Sequence, residues 1–329
     1  MKKKILVLGG TQFIGRSLVE KLFLEKNFEI TLFNRHKTGI NLFEDIPKIR
    51  GDRETPDINK IKDHHWDYVI DLSGYYPDSL KNVLDNLNPD VSKYIFISTC
   101  SVYDNEQYQL PMRDENAPIL SCSEKQYSDR TVTSYGNRKA ECERILMDSG
   151  INYFIFRPAL VYGPYDHTDR LYYWLYQVKK GGPLLLPDKG QGIFSLTYVK
   201  DLVEVITRAL SKETPNNTYN VISQPKSSIR MIVEEAASIL KKDFREVNAS
   251  PSFLNIHNVA QWTDMPLWLD CNYYTYENES MKKDFNFSPQ PFQESLNKTI
   301  QFYDKLNWPV PKYGMAESTK MGLISHLAN

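Results

Sequence analysis

KILVLGGTQFIGRSLVEKL, residues 4–22, sets an apolar run, a glycine turn and a helical pattern end to end. Strand, tight turn and helix in that order are the context in which a glycine turn reads as a cradle for dinucleotide phosphates. Gly9 and Gly10 permit the turn, and Gly15 lets the helix lie close to the strand. The helix start then offers backbone N–H groups and the positive end of its dipole to a pyrophosphate, with Thr11, Gln12, Phe13 and Ile14 completing the loop. Gln12 stands where the middle glycine of such a turn usually sits, so its side chain has to point away from the phosphates.

Outward from this stretch, short β-rich runs alternate with longer amphipathic ones. Strands are expected at about 4–8, 28–33, 67–71, 93–98 and 152–157, with a weaker one near 47–50. Helices are expected over 16–26 and 134–150, the second closed by Gly150. The pattern predicts an α/β fold, a Rossmann-type doubly wound parallel sheet with a smaller, mixed α/β C-terminal substrate lobe. Proline and glycine become frequent after residue 157, in RPALVYGP and KKGGPLLLPDKGQG, and mark where the second lobe begins. The expected division gives residues 1–165 and 193–215 to the dinucleotide domain, 166–192 and 216–305 to the lobe, and 306–329 to an exposed tail.

Composition excludes several classes. Lys and Arg number 40 against 41 Asp and Glu, with a pI near 6.6, so no broad cationic field draws in nucleic acid or anionic lipid. Cys100, Cys122, Cys142 and Cys271 form no CxxC pair and have no interleaved histidines, which points to free thiols in a reducing cytoplasm and to no metal. The apolar ILVL after the basic start is too short for a signal peptide, and nothing later approaches a membrane span. The N-x-S/T triplets at Asn216, Asn248, Asn278 and Asn297 are then chance matches.

The second strand ends EITLFNRHKT, where an acidic residue would face the free ribose hydroxyl of NAD. Asn34 and Arg35 stand there instead, and a guanidinium pairs with a 2′-phosphate, which favours NADP over NAD. Asp52, after the third strand, could accept the adenine amino group. In DLSGYYP (71–77), Ser73 and Gly74 are expected against the cofactor, and Tyr75 and Tyr76 against substrate. Tyr135 and Lys139 share one helix face at i and i+4. Making a phenol an acid/base at neutral pH takes roughly 3 pKa units, about 4 kcal/mol, and a neighbouring ammonium supplies part of it. The spacing recurs at Tyr176 and Lys180, but only Tyr135 lies between two core strands. The strand before it ends in the hydroxyls of Ser98, Thr99 and Ser101, at the carboxyl end where ligands bind in such sheets.

With glycine turn, hydroxyl-bearing strand end and YxxxK in order, the chain resembles the extended short-chain dehydrogenase/reductases, the NAD(P)-dependent epimerases, dehydratases and reductases. RPALVYGP (157–164), FSLTYVKDL (194–202) and SMKKDFNFSPQPFQESLNKTIQFYDK (280–305) are similar to further family segments. The resemblance implies Tyr135 as acid/base, Lys139 as the group that orients the nicotinamide ribose, and Thr99 as the hydrogen-bonding partner of the substrate oxygen. Departures narrow it. Cys100 and Ser101 replace the Asp-Glu of family dehydratases, and Leu160 and Phe194 replace an Asn and an Arg near the substrate diphosphate of nucleotide-sugar members. Arg170 or Arg230 could substitute for the missing cation. The resemblance implies hydride transfer at a carbonyl or alcohol carbon of a sugar-like small molecule, by an epimerase or an NADPH-dependent reductase. Homodimers joined through helices are common in the family. The turn itself is similar to the GGTxFIG variant of a branch that includes chloroplast stem-loop-binding RNA proteins, so a non-catalytic RNA-binding member is the alternative.

Overall fold

The structure is a computed structural model that describes residues 2–105 and 107–328; residues 1, 106 and 329, which the expected domain ranges include, lie outside the described residues. The chain begins with β1 (Lys3–Leu8), α1 (Phe13–Glu25), β2 (Phe28–Asn34), β3 (Lys48–Arg50), β4 (Tyr68–Asp71), α2 (Pro77–Asp85), β5 (Lys93–Ile97), α3 (Glu124–Ser128), α4 (Tyr135–Asp148) and β6 (Tyr153–Pro158). It continues through β7 (Leu160–Tyr162), α5 (Arg170–Lys180), β8 (Pro183–Pro187), β9 (Phe194–Tyr198), α6 (Val199–Ser211) and β10 (Asn217–Val221). The remainder is β11 (Gln224–Ser227), α7 (Ile229–Leu240), β12 (Arg245–Ala249), α8 (Pro251–Ile256), α9 (Glu279–Phe285), α10 (Phe292–Lys305) and α11 (Glu317–Ala328).

The chain divides into two compact units. The first runs to Ala159 and takes in Val199–Ile222 and Tyr276–Ser288. Its seven strands are all parallel, in the order β10-β6-β5-β4-β1-β2-β3, the Rossmann-type arrangement the alternation predicts. Ile5, Leu6, Val7 and Leu8 have no solvent exposure, because a parallel sheet clad in helices buries both faces of its central strands. One core cluster joins Leu6, Leu8, Val69, Phe96 and Ile155 of the sheet to Leu80 and Val83 of α2 and to Cys142 and Leu146 of α4. Helix α1 packs on α6, tied by Lys21 Nζ to Glu204 Oε2 at 2.9 Å, and α2 packs on α4. Strand order reverses between β1 and β4, which opens a crevice at the carboxyl ends of those strands.

The second unit holds Leu160–Tyr198, Ser223–Thr275 and the chain from Pro289 on. It contains a three-stranded sheet, β11-β9-β7, and a parallel pair, β12-β8. Helix α7 packs against both α5 and α10.

These units differ from the expected division. Strand β9 is buried at all five residues and belongs to the second unit, where β7 and β11 cover its two edges; it does not return to the main sheet. Strand β10, expected in the lobe, completes the main sheet against β6, and α9 belongs to the same first unit. Residues 160–165 lie in the second unit. The segment expected as an exposed tail carries α11, where buried Lys320 donates to Gln177 Oε1 at 2.8 Å and pairs with Glu317 at 3.0 Å. Among the described residues no helix is long and apolar enough to cross a membrane.

Candidate functional site

The glycine turn after β1 has the backbone its sequence demands. Gly9 and Gly10 sit at φ +110° and +96°, a region side chains rarely enter. A Cβ on Gly15 would meet Gly10 Cα at 2.8 Å, so the first turn of α1 can touch the loop only because residue 15 is glycine. Gln12 precedes α1 in extended conformation, is exposed, and makes no side-chain cap, so its side chain does not satisfy the helix N-terminus. Phe13 is buried and Ile14 half-buried. Thr11 Oγ1 lies 3.3 Å from Thr38 Oγ1, folding the segment after β2 back onto the turn.

At the end of β2, Asn34 Oδ1 accepts from His36 N at 3.0 Å. Two expected cofactor residues meet each other here: the Arg35 guanidinium lies 3.8 Å from Asp52 Oδ2, both partly exposed. The buried Nε2 of His36 has no hydrogen-bond partner. A cradle that excludes Cβ atoms, an uncapped helix start and an orphaned imidazole nitrogen beside a cation fit a dinucleotide, with Gly9 to Gly15 for the phosphates and Asn34, Arg35 and Asp52 for the adenosine half.

The next wall rests on a pair that sequence reasoning missed. Arg53 grips Asp71 through two bonds, Nη1 to Oδ1 at 2.6 Å and Nη2 to Oδ2 at 2.9 Å, and both side chains are buried. Asp71 also accepts from Tyr94 Oη at 2.7 Å and from Ser73 N at 2.9 Å. Burial works against the charge, yet Arg53 and these donors outweigh it and hold the Asp71 pKa below the usual carboxylate value. Ser73 Oγ accepts from Arg53 at 3.1 Å and donates to Leu8 O at 3.3 Å. A Cβ on Gly74 would meet the Phe96 ring at 2.6 Å, so the loop after β4 lies flat on the sheet end.

Lys139 closes the centre. Its buried Nζ donates to Gly74 O at 2.9 Å and to Ile97 O at 2.7 Å, and lies 3.9 Å from the centre of the Phe96 ring. Burial lowers its pKa to about 8, against the opposing charges of Asp71 and Glu143. One turn earlier, Tyr135 opens α4, half-buried, with its ring 6.4 Å from that of Tyr75. Gly136, another position not singled out in the sequence, brings this helix start against the end of β5: a Cβ there would lie 2.2 Å from Ser101 O. Thr99 Oγ1 accepts from Ser101 N at 3.1 Å and donates to Ser101 Oγ at 3.2 Å, so the two expected hydroxyls form one unit.

Beneath them runs a second buried pair. Glu143 accepts from Ser98 Oγ and from Arg157, whose Nη2 approaches Oε2 at 2.6 Å and whose Nε approaches Oε1 at 3.0 Å. Arg157 continues to Tyr103 Oη at 3.1 Å, and Tyr103 donates to Asn220 Oδ1 at 2.6 Å. Spacing offers one signal for it: Glu143 follows Lys139 by four residues on the same face, and a carboxylate on a buried face needs a partner. Cys100 donates its thiol to Arg157 O at 3.2 Å, and burial pushes its pKa well up, so it is held as a neutral thiol.

The other expected substrate residues separate. Tyr75 is exposed beside Tyr135, whereas the Tyr76 ring is engaged by Arg130 and Arg138, their guanidinium carbons 3.9 Å and 5.1 Å from its centre. Arg170 belongs to the second unit, where Nε donates to Thr168 Oγ1 at 3.1 Å and the guanidinium faces the Trp262 ring. Arg230, also there, is committed to Glu246 at 2.6 Å and Glu234 at 3.1 Å. Phe194 is buried in β9 and Leu160 half-buried in β7.

The model of the NAD dependent epimerase/dehydratase family matches residues 5–221. The chloroplast stem-loop binding protein of 41 kDa b from Arabidopsis thaliana is 28% identical over 240 residues, 68% of this chain and 60% of that protein's length. The UDP-glucose 4-epimerase of Vibrio cholerae is 27% identical over 271 residues, 74% of this chain and 77% of the epimerase. Among solved structures, the dTDP-glucose 4,6-dehydratase of Bacillus anthracis in complex with NAD superposes with a TM-score of 0.72 at 19% identity, over 93% of this chain and 98% of that one.

Proposed function

The chain belongs to the NAD-dependent epimerase/dehydratase family, and on that footing we propose that it carries out dinucleotide-dependent oxidation and reduction at a carbinol carbon of a sugar-like substrate. The observation that carries this reading is the α4 stripe: Tyr135 at the helix start and Lys139 one turn on, its ammonium held by carbonyls from two sheet ends. The bound nicotinamide supplies the hydride acceptor and donor. Tyr135 takes the proton from the substrate hydroxyl as the hydride leaves and returns it on reduction. Lys139 spends two N–H bonds on Gly74 and Ile97, which leaves a third donor that would serve the nicotinamide ribose, while its charge, one helical turn from Tyr135, would favour phenolate. Thr99 and Ser101 fix the substrate oxygen.

An epimerase keeps its cofactor through turnover, whereas a reductase exchanges it each cycle. The Vibrio relative favours the epimerase, and a nucleotide-linked sugar as substrate. Leu160 and Phe194 favour a reductase acting on a smaller carbonyl compound, because neither offers a charge to a diphosphate. Arg35 supports NADP: a 2′-phosphate in bidentate contact outcompetes a loose surface pair worth about 0–1 kcal/mol. Thermal shift with NADH, NADPH and a panel of sugars and sugar nucleotides identifies the ligands. With the turned-over substrate in hand, Tyr135→Phe should lower kcat by about 10²–10⁴-fold while leaving dinucleotide affinity near wild type. Turnover within a few-fold of wild type sinks the mechanism.

A second reading draws on the stem-loop binding relative: RNA binding on the same fold without catalysis. A salt-dependent mobility shift of structured RNA, unchanged by NADPH, together with no turnover on the panel, would favour it.

A further inference from the structure

The excursion between the Thr99 loop and α4 is tied down at several points. Ser123 and Gln126 cap α3 reciprocally, and Tyr127 Oη donates to Asp78 Oδ1 at 2.6 Å. From α4, Arg138 is 3% exposed and donates through Nη2 to Thr131 O at 2.9 Å and through Nη1 to Asp129 O. Those two carbonyls flank Arg130 and fix the direction in which its side chain leaves the loop.

Arg130 reaches two loops at once. Its guanidinium carbon lies 3.9 Å from the centre of the Tyr76 ring, and Nη1 lies 3.2 Å from Glu54 Oε2. Glu54 follows β3, the outermost strand of one half of the sheet, while Tyr76 follows β4, the first strand of the other half. In the order β4-β1-β2-β3 the switch point lies between β4 and β1, so Arg130 spans the mouth of the crevice that opens there. Asp52 Oδ1 accepts from Glu54 N at 3.1 Å, which joins this span to the pair Arg35–Asp52 at the adenosine end. The Arg130 and Glu54 side chains are 54% and 43% exposed, so the ion pair is one that water and salt can open.

We infer that Arg130 is a latch over the adenosine side of the crevice, which opens for a dinucleotide to enter and slows its release. The inference rests on the dinucleotide reading above and deepens it, since slow release is what an epimerase requires. Neither contact is a covalent or buried one. Together they match a release rate changed by about ten-fold, the size expected of one exposed ion pair and one guanidinium-aromatic contact.

The test follows NADH fluorescence as pre-loaded protein is chased with excess NAD⁺, and repeats it with NADPH chased by NADP⁺. Arg130→Ala should speed release of both by about ten-fold, with the melting temperature within about 2 °C of wild type. Arg130→Lys, which keeps the charge and loses the flat stacking surface, should fall between. Raising salt should speed release from wild type more than from Arg130→Ala. Release from Arg130→Ala within two-fold of wild type overturns the latch. So does an effect confined to NADPH, which would make Arg130 a phosphate ligand. Failure of wild type to bind either dinucleotide is a separate result that removes the dinucleotide reading itself and the latch with it.

Discussion

Two buried ion pairs flank Lys139, and they do different work. Arg53 and Asp71 join β4 to the loop after β3 and shape the Ser73–Gly74 segment, where Gly74 O receives Lys139. Glu143 and Arg157 join α4 to β6 and hold Ser98, next to Ile97, whose carbonyl receives Lys139. The first pair is closed by a tyrosine and a backbone N–H; the second is one member of a chain that runs on to Tyr103 and Asn220. One pair sets a loop, and the other sets a helix against three neighbouring strands. A single ammonium reads both.

The largest way to break this symmetry is to remove one partner of the helix-setting pair. Glu143→Leu should destabilise the protein by about 3–5 kcal/mol, because it strands the Arg157 charge in the core, and chemical denaturation measures it. The double variant Glu143→Leu/Arg157→Leu should regain much of that stability and, on the proposed function, still bind dinucleotide, since the Arg53–Asp71 pair is intact. If the double variant is no more stable than the single one, packing rather than charge dominates the site.

A medium effect concerns the ammonium between the pairs. The folded pKa of Lys139 lies below its ordinary value, at about 8, so as pH rises past 8 the folded protein loses this proton before the unfolded chain does. Its charge is full well below pH 8 and half lost at about that pH, so dinucleotide affinity should fall as pH rises through that value. From about pH 8 to the ordinary lysine pKa near 10.4 the same titration adds stability, because the unfolded chain then binds more protons. Titrating NADH into the protein from pH 6 to 9.5 checks the first sign; Lys139→Met should flatten the curve.

The smallest effect lies at the surface. Asp52→Asn frees Arg35 from its 3.8 Å partner and should change stability by no more than about 1 kcal/mol while raising the preference for NADPH over NADH. An unchanged ratio of the two affinities would remove Arg35 from the choice of cofactor.

Much of the fold is readable along the chain because local rules and tertiary ones agree there. The run from Ile5 to Leu8 is buried on both faces, Gly9 and Gly10 need positive φ, and the helix that follows lies against the turn at Gly15. Legibility stops where a residue's role depends on which strands become neighbours. Strand β9 reads as a buried strand in any sheet, and only its partners β7 and β11 assign it to the second unit. Arg53 and Asp71 are 18 residues apart with no periodicity linking them, and their pairing depends on how the chain after β3 turns back. Gly136 passes as an ordinary residue of a helix start until the Ser101 carbonyl is seen to occupy the space a Cβ would need.

Tyr135, Lys139 and Glu143 ride on one helix, spaced by four. The proposed acid/base, the charge proposed to tune it and an anchor in the core therefore share one rigid body: α4 cannot roll or slide to bring the phenol nearer a new substrate without dragging the ammonium off its two carbonyls and the carboxylate off Arg157. The reactive centre is not modular. Change of substrate in this scaffold has to be written elsewhere, in segments that can move without consulting the core, and redesign of the pocket gains most by leaving α4 alone.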